Sequence, residues 1–212
     1  TPAARTPALY GVGAVDRRTR GSTVMSEPAV IVEQQGHVLV VTLNRPEKRN
    51  AVNSEVMCRL YDAWTRLDAD DTLRVAVLTG NGSTFCAGMD LSEIGKLGSG
   101  TPDNDYMARI MADPSMIYDA WLKTLRPTKP VILAAEGFAR AGGTEILQGT
   151  DIRVAGESAF FVHCPEGMRI GNATDGDVQT HRILHDLRHT VALDGVRDGI
   201  AQAVLATVEK QQ

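Results

Sequence analysis

Ser83-Thr84-Phe85-Cys86-Ala87-Gly88-Met89-Asp90-Leu91 and, about fifty residues further on, Gly137-Phe138-Ala139-Arg140-Ala141-Gly142-Gly143-Thr144-Glu145 decide how this chain is read. Each stretch has the pattern of a strand that ends in a glycine turn and opens a helix. A helix start leaves backbone N–H groups without intrahelical acceptors, so each turn is expected to present a donor to whatever binds there. Two such donors make an oxyanion hole, in which an acyl oxygen gaining negative charge meets dipoles already fixed in place. Glu145 falls one turn into the second helix, where a carboxylate can transfer a proton.

Working outward, the regular elements alternate. Ala29 to Glu33 and His37 to Leu43 are β-branched runs separated by Gln34-Gln35-Gly36, a hairpin pattern. Asn53 or Ser54 can cap a helix in which Val56, Leu60, Ala63, Trp64 and Leu67 recur at helical spacing, with Asp68 to Asp71 ending it. Arg74 to Thr79 and Val131 to Ala135 are short, nearly continuous apolar runs, as expected of strands buried on both faces of a sheet. Residues 95 to 105 read as a mobile loop. Asp113-Pro114 is expected to start a helix with Ile117, Trp121 and Leu125 on its apolar side and Pro130 beyond its end. A helix from about Gly142 to Gln148 and a strand from Asp151 to Ala155 complete an α/β pattern without internal repeats. Trp64 and Trp121 are expected in the core.

The chain has 212 residues, 43% of them hydrophobic, enough for one good core. A net charge of −4 and the lack of a basic cluster with interleaved aromatics argue against a nucleic-acid partner. No apolar run approaches the roughly 20 residues of a membrane-spanning helix, so a membrane partner is not expected. Cys58, Cys86 and Cys164 have neither the spacing of a metal site nor that of a disulfide framework, which fits a cytoplasmic setting. Residues 1–24 read as a disordered tail or non-native extension before Met25, residues 25–157 as the core, and residues 158–212 as an atypical C-terminal segment.

Three blocks carry a family resemblance: NRPEKRNAVN at 44–53, VAVLTGNGSTFCAGMDLSEI at 75–94, and KPVILAAEGFARAGGTEILQGTDIRVA at 129–155. In order and spacing they resemble the crotonase superfamily, the enoyl-CoA hydratases and isomerases. The resemblance implies a crotonase-like α/β spiral of ββα units, an acyl-CoA thioester as substrate, no separate cofactor, and homo-trimers or hexamers. Carried over residue by residue, it places the oxyanion donors on the amides of Met89 and Gly142. It makes Glu145 the first of two catalytic glutamates and Glu166 the candidate for the second. Lys48, Arg49 and Ala51 match the loop that holds the nucleotide end of CoA, while Ala87, Asp90 and Leu91 match positions lining the pantetheine tunnel. Ala141, preceded by Arg140, stands where the family has the first of three glycines; Gly142 keeps the amide, so the hole is expected to survive.

After about Ser158 the family pattern is no longer recognisable. Pro165-Glu166 and Gly171 match only fragments of it, and no Gly-Gly loop follows. Residues from about 159 onward are therefore expected to be an out-of-frame or rearranged ending, with the C-terminal helical part atypical or truncated. The expected activity is enoyl-CoA hydration or a related isomerisation through a thioester enolate. The alternatives are a non-catalytic acyl-CoA-binding homologue and another reaction served by the same hole, such as thioester hydrolysis or dehalogenation.

Overall fold

A computed structural model of the chain describes residues 27–97, 100–156, 159–162 and 190–192. The expected hairpin is present as β1 (Val30–Gln35) and β2 (Val38–Leu43), paired antiparallel. From there every neighbour in the large sheet is parallel: β2 beside β3 (Val75–Gly80), then β5 (Val131–Ala135), β7 (Ile152–Ala155) and β9 (Thr190–Ala192). Alternation along these strands sorts side chains onto two buried faces. Leu39, Val41, Leu78 and Leu133 point into the main core, whereas Val40, Val77, Ile132 and Val154 form a second apolar cluster on the opposite face.

The strands expected before the two glycine turns are present, and they pair into a second, smaller sheet. β4 (Thr84–Cys86), β6 (Phe138–Arg140) and β8 (Phe160–Val162) lie parallel in that order. β4 and β6 each follow a strand of the large sheet after a short turn and lead into a helix. At three residues each, these strands are too short to show a two-residue period. Their buried side chains Phe85, Cys86, Ala139 and Phe161 belong to the main core.

Helix α1 (Ser54–Ala69) starts where its cap predicts: the Asn53 side chain accepts the Val56 N–H at 3.0 Å. The residues expected on its apolar stripe are buried, Trp64 completely. The segment expected to be a loop lies between two helices that sequence reading did not bound, and residues 100–104 are irregular as expected. α2 (Leu91–Leu97) follows the first glycine turn, and α3 (Asp105–Ala112) begins at a capping Asn104, whose side chain accepts the Met107 N–H at 2.8 Å. The helix expected from Pro114 toward Leu125 is shorter than its apolar stripe suggests. α4 spans only Ser115–Ala120, because Leu122 takes a left-handed conformation (φ 56°) and the Lys123 N–H turns back to the Tyr118 carbonyl. The second glycine turn opens α5 (Gly142–Glu145), which continues as a 3-10 turn over Ile146–Gly149 rather than as an α-helix to Gln148.

Trp64 joins these layers. Its indole N–H donates to the Ala120 carbonyl at 3.1 Å, in the core between α1 and α4. That carbonyl belongs to the last residue of α4, where the helix supplies no N–H donor of its own. Trp64→Phe keeps an aromatic ring but leaves this buried carbonyl without its donor. It is expected to cost about 1–3 kcal/mol in urea-induced unfolding.

Candidate active site

β4 and β6 are neighbours, with Cys86 opposite Ala139, and the chain leaves both strands at the same end. Met89 and Gly142 each lie three residues beyond that pair. The turns that contain them touch: a Cβ on Gly88 (φ 93°) would stand 2.9 Å from the Arg140 carbonyl oxygen, 3.1 Å from the Ala141 methyl and 3.5 Å from the Gly142 nitrogen. A Cβ on Gly143 would stand 2.4 Å from the Cys86 carbonyl oxygen. Among the described residues, no hydrogen-bond acceptor is seen for the N–H of Met89, Gly142 or the adjacent Gly143, whereas Gly88 donates to the Cys86 sulfur. Ala87 donates to the Arg49 carbonyl, Asp90 to Val52, and Ala141 to Val162.

The first turn is held by the loop that carries Lys48, Arg49 and Ala51. Val52 donates to Gly88, and Val52 and Met89 form a short parallel bridge. The Lys48 and Arg49 side chains are exposed. Two residues in this loop whose importance the sequence reading missed organise it. Asn50, 1% exposed, accepts the Arg45 N–H at 2.8 Å and donates to the Asn81 and Thr84 carbonyls at 2.9 and 2.7 Å. Both Arg49 and Asn50 are left-handed (φ 52° and 54°), a conformation asparagine tolerates better than most residues. Arg45 donates to the Ala51 carbonyl and pairs with Asp90 at 3.0 Å.

Asp90, matched by sequence to the tunnel lining, thus spends one carboxylate oxygen on Arg45; the other accepts the hydroxyl and N–H of Ser92. Burial pushes the Asp90 carboxyl up, but its bonds to Ser92 and Arg45 outweigh that and hold it below the usual carboxylate range. Leu91 is 63% exposed at the start of α2. Glu93, one turn on, is buried and accepts the Ser54 N–H at the start of α1. Burial pushes the Cys86 thiol, behind the first turn, up to about 12, which keeps it protonated and unsuited to nucleophilic attack.

On the second turn, Ala141 has φ 49° and ψ −121°, a region that favours glycine. Here the departure from three glycines has a structural cost, although the turn is kept. Thr144 stabilises it from within, its buried hydroxyl lying 3.0 Å from the Ala139 carbonyl and 2.8 Å from that of Val162. Glu145 is partly exposed, and its Oε2 accepts from Lys123 Nζ at 2.5 Å. Lys123 was not singled out from sequence, since nothing local links it to a residue 22 positions later. Trp121 is in the core as expected, with its ring against Gly142. Glu166 lies outside the described residues.

The profile of the enoyl-CoA hydratase/isomerase family matches residues 33–193. The chain belongs to that family. The match continues past Ser158, where the motif comparison loses the pattern. Enoyl-CoA hydratase EchA19 of Mycobacterium tuberculosis is 54% identical over 140 residues, which are 66% of this chain and 51% of that protein. Mevalonyl-coenzyme A hydratase of Aspergillus fumigatus is 39% identical over 125 residues, 59% of this chain and 43% of its own length. The chain spans about half the length of these curated relatives. The crystal structure of enoyl-CoA hydratase EchA1 from Mycobacterium marinum superposes with a TM-score of 0.65 at 33% identity, covering 87% of this chain and 75% of that one.

Two substitutions test the scaffold of this family member. Ala141→Gly relieves a torsion that glycine adopts freely. After the entropy glycine returns to the unfolded chain, it is expected to stabilise by about 0.5–2 kcal/mol, read as a higher urea midpoint. Asn50→Ala removes three buried hydrogen bonds at once and is expected to destabilise by about 2–4 kcal/mol in the same measurement.

Proposed function

We propose that the chain is the catalytic core of an enoyl-CoA hydratase or a closely related isomerase. The observation that carries this reading is the meeting of two backbone turns whose Met89 and Gly142 amides lack acceptors, with Glu145 one turn further along the second. In this reading the two amides bind the thioester oxygen of a 2-enoyl-CoA. Charge then develops on that oxygen as water adds to C3, and the fixed donors stabilise the enolate more than the ground-state carbonyl. Glu145 activates the water or moves the proton. The relatives support hydration over other uses of such a hole, since those compared are described as hydratases of different acyl-CoA thioesters.

The remaining assignments are those the family resemblance implies. Lys48 and Arg49 are exposed on the loop bonded directly to the first turn, which suits contacts with the phosphates of CoA. Ala51 belongs to that loop, and Ala87 and Leu91 flank the first turn in sequence, as a contact with the pantetheine arm would require. Glu166 is the candidate second carboxylate. The chemistry draws on no metal or redox cofactor. Assembly into trimers or hexamers belongs to the same proposal.

The test combines binding and turnover. Butyryl-CoA, which cannot be hydrated, is expected to bind in calorimetry, more weakly as salt rises if Lys48 and Arg49 meet phosphate. But-2-enoyl-CoA is expected to be hydrated, with Glu145→Gln lowering kcat about 100-fold or more at nearly unchanged butyryl-CoA affinity. Binding without turnover in the wild type would favour a non-catalytic acyl-CoA-binding protein; no binding at millimolar ligand would overturn both.

A further inference from the structure

We propose that Lys123 is a positioning residue that holds the Glu145 carboxylate for proton transfer, an inference that rests on the role given to Glu145 above. An ion pair between partly exposed side chains usually contributes little, because a free lysine must give up many conformations to form it. Here the backbone that carries Lys123 is already fixed, so only its side-chain rotamers remain to be ordered. Its N–H is bonded to the Tyr118 carbonyl at 3.0 Å, and the preceding Leu122 is fully buried in a left-handed conformation. Ala120, just before, is tied to Trp64.

The same turn is packed against both ends of the segment that carries Glu145. The Trp121 ring lies so close to Gly142 that a Cβ there would stand 2.6 Å from its Cη2, and Leu122 lies so close to Gly149 that one there would stand 2.3 Å from the leucine Cβ. Glu145 is midway between these contacts, and Lys123 reaches it from the residue next to Leu122. The lysine anchor and the glutamate helix are therefore set against each other by core packing, and the surface pair takes its geometry from below. Lys123 engages Oε2; Oε1 receives no hydrogen bond from any other described residue, so it remains available to water or to a substrate proton.

Kinetics and a stability cycle test the proposal separately. Lys123→Met is expected to lower kcat for but-2-enoyl-CoA about tenfold while KM and the affinity for butyryl-CoA stay within about twofold, since misplacing a catalytic group costs rate more than binding. Lys123→Arg, which keeps a cation in reach, is expected to recover most of the lost rate. Unchanged kcat in Lys123→Met, or a loss that Lys123→Arg does not rescue, overturns the positioning role. Independently of turnover, urea unfolding of Lys123→Met, Glu145→Gln and the double variant is expected to be non-additive, because the second substitution removes nothing further from a pair already broken. Additive midpoints overturn the pairing itself. A wild type that binds butyryl-CoA but does not turn over fails the functional reading, and the cycle still decides whether Lys123 holds Glu145.

Discussion

The close approach of two backbone turns at the ends of β4 and β6 is the constraint on which the rest of the site depends. Neighbouring parallel strands run roughly 5 Å apart, too close for two turns with side chains between them. Gly88 and Gly143 remove the methyl groups that would meet the Arg140 and Cys86 carbonyls. What remains is a junction made almost wholly of main chain, in which, among the described residues, the Met89 and Gly142 amides have no acceptor. A junction of this kind has little freedom to adjust, and that rigidity suits donors that must be in place before charge appears.

Rigidity at the junction is inherited from both flanks. On one side, Asn50 and Arg45 bind the 45–51 loop to itself and to Asp90, so the first turn is fixed by side chains that reach backbone carbonyls. On the other, Trp121 and Leu122 press on the helical segment after the second turn. The two flanks use different physics. The first relies on directional bonds to buried polar groups and the second on apolar contact, so the turns are held by forces that respond differently to temperature and denaturant.

Much of the large sheet was legible because its signals are local and strong. β5 was bounded correctly from an apolar run alone, and α1 from a cap and a stripe. The paired turns were legible as chemistry, and the residues that form them lie together as the two motifs imply. The strands before the two turns were legible, but their bounds and their pairing into a separate sheet were not, because strands of three residues are defined by partners far away in sequence. The end of α4 was missed for a similar reason: a left-handed leucine has no sequence signature, and its conformation is settled by packing against Gly149. Lys123 and Asn50 show the same limit at the level of single residues, since each acts through partners more than twenty positions away.

The small sheet also sets the order in which the molecule can become competent. Thr84 pairs with Phe138 across more than fifty intervening residues, whereas the β1–β2 hairpin closes locally. Closing a long loop delays the contacts that reward it, so a chain with its hairpin and first helix formed still lacks any junction between the turns. A junction between the turns exists only once this long-range pairing has formed, whatever the amount of local secondary structure. Any molecule that binds across both turns draws the equilibrium toward the paired state by mass action.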